Sequence, residues 1–219
     1  MNRDIYIFMG PPGAGKGSLA QLCTKRLGWK QLSTGNLCRY HIVMQTEIGK
    51  EIDFFIKSGK LIPDTLMIEM VKEWLLDKQN HANSCILDGF PRTVVQAKAL
   101  DELLENASSG SFFVRVINMI LADKTVINRL MNRLICQNSE CQRVYSTGDA
   151  CDDCSSILIR RIDDTHVTVE QRLVAYHKHS HELINYYSSN GKFIKELLVE
   201  QPLDEVFGQF QELIGCNNL

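Results

Sequence analysis

No run of about eighteen apolar residues occurs anywhere in the 219-residue chain, which excludes a helix that spans a membrane. No charge of one sign dominates either. With 24 Lys+Arg against 26 Asp+Glu, a formal net charge of −2, nothing global draws the chain to nucleic acid or an anionic membrane, and any basic site must be local. Internal repeats and low-complexity tracts are missing, and Ser108-Ser109-Gly110-Ser111 is simply a loop. The opening Met1-Asn2-Arg3-Asp4 has no signal-peptide pattern, because the apolar stretch behind it is too short and ends in glycine. The expectation is a cytoplasmic protein without membrane or nucleic-acid partners. In such a reducing compartment disulfides are not the natural use of its 8 cysteines.

What is present is a hydrophobic fraction of 44%, enough for one packed core, in a chain long enough to carry small inserted lobes as well. Apolar runs at 5–9, 85–87, 114–121 and 192–198 predict strands, and helical patterns at 15–27, 65–76, 94–105, 124–134, 167–188 and 203–213 alternate with them. That alternation predicts an α/β fold with a central parallel sheet covered by helices on both faces. Two stretches interrupt it: residues 33–62, helix-like and punctuated by Gly35, Gly49 and Gly59, and residues 132–164, polar and cysteine-rich. Both read as insertions at the rim of the sheet.

The run Gly10-Pro11-Pro12-Gly13-Ala14-Gly15-Lys16-Gly17-Ser18 follows directly on the first strand and leads into the first helix. Such a loop turns successive backbone N–H groups into one concavity, the helix N-terminus adds partial positive charge, and Lys16 adds a full one. Triphosphate oxygens are the natural occupant. The usual loop has Ser or Thr directly after the Lys, whereas here Gly17 intervenes and Ser18 carries the hydroxyl. Asp88 ends a buried strand, a position from which a carboxylate holds Mg²⁺ through water; the alternative is a helix-capping Asp. Directly after it stand Gly89-Phe90-Pro91-Arg92-Thr93, with Gln96 one turn further on. An arginine in a rigid turn there suggests a second anion beside the first. Arg39 follows Ser33-Thr34-Gly35-Asn36 as another clamp, and Arg129, Arg133, Arg161 and Arg172 extend the set. Guanidinium forks bind phosphate oxygens bidentately and keep their charge near neutral pH.

These segments resemble the adenylate kinase family. GPPGAGKGS at 10–18, STGNLCR at 33–39, GKLIPD at 59–64, LDGFPRT at 87–93, RRIDD at 160–164 and QRLVAYH at 171–177 occur in the family's order and approximate spacing. The resemblance implies a P-loop three-layer fold. Residues 1–32, 63–131 and 165–219 would form the core, 33–62 a lobe for the nucleoside monophosphate, and 132–164 the extended lid of the long-form enzymes. It also implies phosphoryl transfer from MgATP to AMP by a monomer. Gly13, Ala14, Gly15, Lys16, Gly17 and Ser18 would hold the ATP phosphates. Arg129, Val144, Tyr145 and Gln201 would meet the ATP base, the last through its backbone carbonyl. Thr34, Arg39, Lys60, Leu61, Ile62, Gly89, Phe90, Pro91, Arg92 and Gln96 would hold AMP, Gln96 reading the adenine edge. Arg133, Arg161 and Arg172 would close on the phosphates, and Asp88 and Ser18 would serve Mg²⁺. The chain departs from the family pattern at Ser18, Asn36, Leu134 and Ser146, where Thr, Asp, a second Arg and a His are common, and it lacks a glycine just before Gln201. Rival readings are a kinase with a GTP donor or pyrimidine acceptor, and a zinc-ribbon ATPase on nucleic acid. Against the ribbon, Arg143 is the one basic residue between its outer cysteines.

The ribbon itself is Cys136-x4-Cys141-x9-Cys151-x2-Cys154, read as a structural Cys₄ zinc site with free thiols and redox pairs as the alternatives. A closed four-thiolate site leaves no open position for chemistry, but it would staple a lobe too small and polar to fold on a core. His177, His179 and His181 share a helix without an acidic ligand pattern and read as solvated surface.

Overall fold

The computed structural model describes residues 3–57, 62–80, 84–106, 112–138, 141–161 and 163–216. Its main sheet has five strands in the order β2-β3-β1-β4-β8: β1 Arg3–Met9, β2 Lys30–Ser33, β3 Ser84–Asp88, β4 Phe112–Ile120 and β8 Phe193–Leu198. β1 pairs in parallel with β3 and with β4, and β2 in parallel with β3. The central position of β1 follows from Ile5-Tyr6-Ile7-Phe8-Met9, five consecutive buried residues, as a strand covered on both faces requires. Eight α-helices appear among the described residues: α1 Lys16–Leu27, α2 Thr34–Val43, α3 Glu47–Lys57, α4 Asp64–Leu76, α5 Val94–Asn106, α6 Asp123–Met131, α7 His166–Ser189 and α8 Leu203–Ile214. None of them is long and apolar enough to cross a membrane.

Two compact units share these elements. The first comprises Met1–Met9, Ala20–Asn118 and His179–Lys195, the second Gly10–Leu19, Met119–Lys178 and Glu196–Leu219. The first has a core built on Ile5, Ile7, Leu87 and Val116 from the sheet, with Met70, Val71, Leu100, Leu183 and Tyr187 from helices. In the second, Val126, Leu130, Val169 and Phe210 are buried, the inward faces of α6, α7 and α8.

The second unit also holds a three-stranded antiparallel sheet in the order β6-β5-β7, formed by β5 Leu134–Cys136, β6 Val144–Tyr145 and β7 Leu158–Arg160. Among the described residues its buried hydrophobic cluster comprises Cys136, Cys151 and Leu158, flanked by Leu134, Cys141 and Tyr145.

Two sequence expectations are corrected here. The helix predicted to Leu134 stops at Met131, because Leu134 and Ile135 pair with strands on both sides and are drawn into the small sheet. β2 was not predicted, since Lys30-Gln31-Leu32-Ser33 offers only Leu32 to the interior and lies at the sheet edge.

Candidate active site

In the second unit, the glycine loop leaves β1 and turns at Gly10, Gly13 and Gly15, all with positive φ. Gly10 cannot be replaced cheaply: a Cβ there would stand 2.6 Å from the Met119 carbonyl oxygen. The Lys16 ammonium donates to the carbonyls of Gly10 and Pro11, both at 2.8 Å, so the cation lies over the loop that precedes it. α1 begins at Lys16, which leaves its first N–H groups without intrahelical partners and suited to an anion.

Elsewhere in this unit arginines and aspartates interlock. Arg133 grips Asp164 with two parallel hydrogen bonds, Nε to Oδ2 at 2.7 Å and Nη2 to Oδ1 at 2.6 Å. Arg172 Nη1 reaches the same Oδ1 at 3.2 Å. Arg161 holds Asp163 in a second fork at 2.9 and 2.6 Å, and Arg172 lies 3.7 Å from Asp163. Burial, together with repulsion from Arg133 and Arg161, draws the Arg172 guanidinium below its ordinary pKa, while Asp163 and Asp164 oppose the shift. Three arginines expected at the phosphates thus share two counter-ions. Sequence reasoning assigned no role to Asp163 and Asp164, although the paired aspartates directly after Arg160-Arg161-Ile162 were the signal. Arg129 Nη2 donates to the backbone carbonyls of Val199 and Glu200 at 2.7 and 3.3 Å, which pins the segment leading to Gln201.

The four cysteines of the small sheet converge, with their sulfurs all within 4.8 Å of one another. Cys136 Sγ lies 3.4 Å from Cys154 Sγ and Cys141 Sγ 3.6 Å from Cys151 Sγ, so each close pair takes one thiol from each half of the ribbon. Tetrahedral zinc with bonds of about 2.3 Å puts its sulfurs about 3.8 Å apart, whereas a disulfide needs about 2.05 Å. The four sulfurs fit the metal, and none of the four is joined in a disulfide. Tyr145, expected near the ATP base, has its hydroxyl committed here: it donates to Cys151 Sγ at 3.3 Å and accepts from Asp152 N–H at 2.9 Å. That donated bond, ahead of backbone N–H groups, lowers the Cys151 thiol to about 6. Val144 is 42% exposed.

The first unit carries the other expected cluster. Ser33 caps α2 by accepting from Asn36 N–H, and the buried Thr34 hydroxyl donates to Gly89 O at 3.0 Å. Arg39 folds back onto the start of its own helix, donating to Asn36 Oδ1 and lying against Gly35. Asp88 ends β3 beside Phe8 of β1, and its carboxylate has no hydrogen-bond or ion-pair partner among the described residues. Gly89 has φ +83°, and a Cβ on it would come within 2.7 Å of Thr34 Oγ1 and 2.9 Å of Arg92 Nη2. Arg92 Nε donates to Gly89 O at 2.8 Å, and the Phe90–Pro91 peptide is cis. Thr34, Gly89 and Arg92 therefore form one cradle in which only glycine leaves room. Phe90 and Pro91 are buried beneath it, and Ile62 packs on the core. Gln96, buried, accepts from Arg92 N–H at 2.8 Å and donates to Asp64 Oδ1 at 2.7 Å, while Thr93 Oγ1 donates to Asp64 Oδ2 at 2.9 Å. Lys60 and Leu61 lie outside the described residues. Of the three histidines, His177 meets Asp123 at 3.0 Å and His181 meets Asn185, both at the surface.

The family model for adenylate kinase matches residues 8–192. An adenylate kinase of Clostridium botulinum (strain 657 / Type Ba4) is 38% identical over 216 residues, covering 95% of this chain and 97% of that one. One from Chlamydia felis is also 38% identical, over 97% of this chain and 96% of its own. Another, from Borrelia duttonii, is 35% identical over 95% and 96%. A glycine-loop unit and an arginine cradle, joined by matches that run almost from end to end, leave one conclusion: the chain belongs to the adenylate kinase family.

Proposed function

We propose that this chain transfers the γ-phosphoryl group of MgATP reversibly to AMP, giving two ADP. The observation that supports this most directly is the presence of two separate anion cradles, the Gly10–Ser18 loop with Lys16 and the Thr34–Gly89–Arg92 cluster. An ATP hydrolase needs only the first. The acceptor phosphate is already largely dianionic at pH 7, its second pKa being about 6, so no general base is needed. What opposes reaction is repulsion between two anions and charge developing on the group in flight, which positioned cations relieve.

Lys16 and the backbone of Gly13 to Ser18 hold the triphosphate. Arg133, Arg161 and Arg172, now occupied by Asp163 and Asp164, supply forks that phosphate oxygens can take over. Arg129, Val144, Tyr145 and the Gln201 carbonyl flank the ATP base. On the acceptor side Thr34, Arg39, Gly89 and Arg92 hold the AMP phosphate, with Lys60, Leu61, Ile62, Phe90 and Pro91 around the nucleoside and Gln96 on the base. Asp88 and Ser18 would hold Mg²⁺ through its waters, and the ion would neutralise charge on the bridging phosphate oxygens. Cys136, Cys141, Cys151 and Cys154 would hold a structural zinc. In this reading segments 33–62 and 132–164 fold over the nucleotides and keep water out, and the protein works in the cytoplasm as a monomer without nucleic-acid or membrane partners.

The test is ADP formation from MgATP with AMP, GMP, CMP and UMP in turn, with Lys16→Met as control. AMP should be the preferred acceptor. Absence of turnover with any monophosphate, or full activity in the Lys16→Met protein, defeats the reading.

A further inference from the structure

The Gln96 carboxamide is pinned at both ends by groups that cannot exchange roles. Arg92 offers it a backbone N–H, which can only donate, and Asp64 offers it a carboxylate oxygen, here an acceptor. The oxygen of the amide must therefore face Arg92 and the NH₂ must face Asp64. Asp64 is itself fixed, since its second oxygen accepts from the Thr93 hydroxyl. Turning the amide over would set NH₂ against N–H on one side and oxygen against carboxylate on the other, losing both bonds and adding repulsion. Gln96 is only 4% exposed, so water does not soften that penalty.

After these two bonds one lone pair on Oε1 and one hydrogen on Nε2 remain. That pair accepts from an exocyclic amine and donates to a ring nitrogen lone pair, which is the Watson–Crick edge of a 6-aminopurine. A 6-oxopurine presents the reverse, a carbonyl oxygen and a ring N–H. We propose that Asp64 is a positioning residue for acceptor specificity: by fixing the orientation of the Gln96 amide it makes the site accept 6-aminopurine monophosphates and reject 6-oxopurine ones. This rests on the reading that Gln96 meets the acceptor base.

The test compares kcat/KM for AMP and for inosine monophosphate, which differ at this edge, in wild type, Asp64→Asn and Gln96→Ala. An Asn at 64 can present either its oxygen or its NH₂ to Gln96, so the Asp64 end no longer opposes turning of the amide and only the Arg92 N–H still does. The AMP-over-IMP ratio should fall by about tenfold, the equivalent of one charge-assisted hydrogen bond, through the KM of the monophosphate and with KM for ATP unmoved. A purely structural role would lower both acceptors together and leave the ratio unchanged. Thr93→Val, which frees the second oxygen of Asp64, should move the ratio the same way by a smaller factor and serves if Asp64→Asn does not fold. If Gln96→Ala collapses the ratio while both other variants retain it, Asp64 has no such role. If Gln96→Ala also leaves it unchanged, the base-reading assignment of Gln96 fails and takes this inference with it.

Discussion

Replacing Asp164 by Asn keeps the shape of the side chain and removes its charge from between two arginines. The Asp164 side chain is 4% exposed, its main partner Arg133 12% and Arg172 36%, so the pair to Arg133 is buried and the contact to Arg172 is partly solvated. Removing one partner of a buried ion pair costs about 3 to 5 kcal/mol, chiefly because the remaining charge has no compensation. Since Arg172 can turn toward water, the low end, about 3 kcal/mol, applies here. In a domain of this size each kcal/mol moves the midpoint by about 2 to 4 °C, so thermal unfolding should shift down by about 6 to 12 °C. The diagnostic arm is inorganic phosphate or ATP, whose oxygens can occupy the vacated forks. Either anion should raise the midpoint of Asp164→Asn by several degrees more than that of the wild type, because ligand linkage grows with the affinity of the folded state. Calorimetry of both proteins with and without phosphate decides it. Midpoints within about 1 °C of each other, or equal phosphate shifts, would refute the claim that Asp164 acts as a buried counter-ion.

Three other outcomes are expected. Lys16→Met should lower kcat by about 10²- to 10³-fold, the range for loss of one preorganised charge stabiliser, with stopped-flow or coupled ADP assays as the measure; a tenfold or smaller loss would remove Lys16 from the transition state. The purified protein should contain one zinc per chain by elemental analysis, and Cys151→Ser should lose it and unprotect amides of 134–160 in hydrogen exchange; stoichiometric metal in the Cys151→Ser protein would exclude the four-thiolate site. Burial, and then the bond to Asp101, raises the Tyr186 hydroxyl from its ordinary 10 to about 12. Its contribution to stability is complete below pH 10 and is lost as pH rises through 12, because the unfolded chain releases that proton first. Tyr186→Phe should flatten this part of the alkaline unfolding curve, and identical slopes for the two proteins would dismiss the assignment.

The parts of the site legible in sequence are those made by neighbours along the chain. Gly10 to Ser18 needs only a strand before it and a helix after it, and both are where the apolar pattern puts them. The same holds for Asp88 at the end of β3 and for Gln96 in the first turn of α5. The spacing of the four cysteines points to one cluster, but not that the close contacts are 136 with 154 and 141 with 151. β2 escaped because an edge strand with one inward residue has no period to detect. The helix boundary at Leu134 was misplaced because three residues of β5 are apolar enough to continue a helical stripe, and pairing on both sides overrode that local preference.

By itself, then, the sequence determined that this is a parallel α/β chain with a glycine-rich loop after its first strand, an arginine-bearing turn after Asp88 and a cysteine cluster in a polar insertion. These are short-range properties, settled by periodicity, turn chemistry and residue type over a few positions. The tertiary structure alone decided which groups restrain one another: Asp164 beneath Arg133 31 residues away, and Asp64 holding Gln96 from 32 residues away. Such contacts depend on where the packed sheet and helices bring distant segments together, and no local pattern encodes that approach. A carboxylate in a sequence is only a charge until the fold shows which cation or amide it faces.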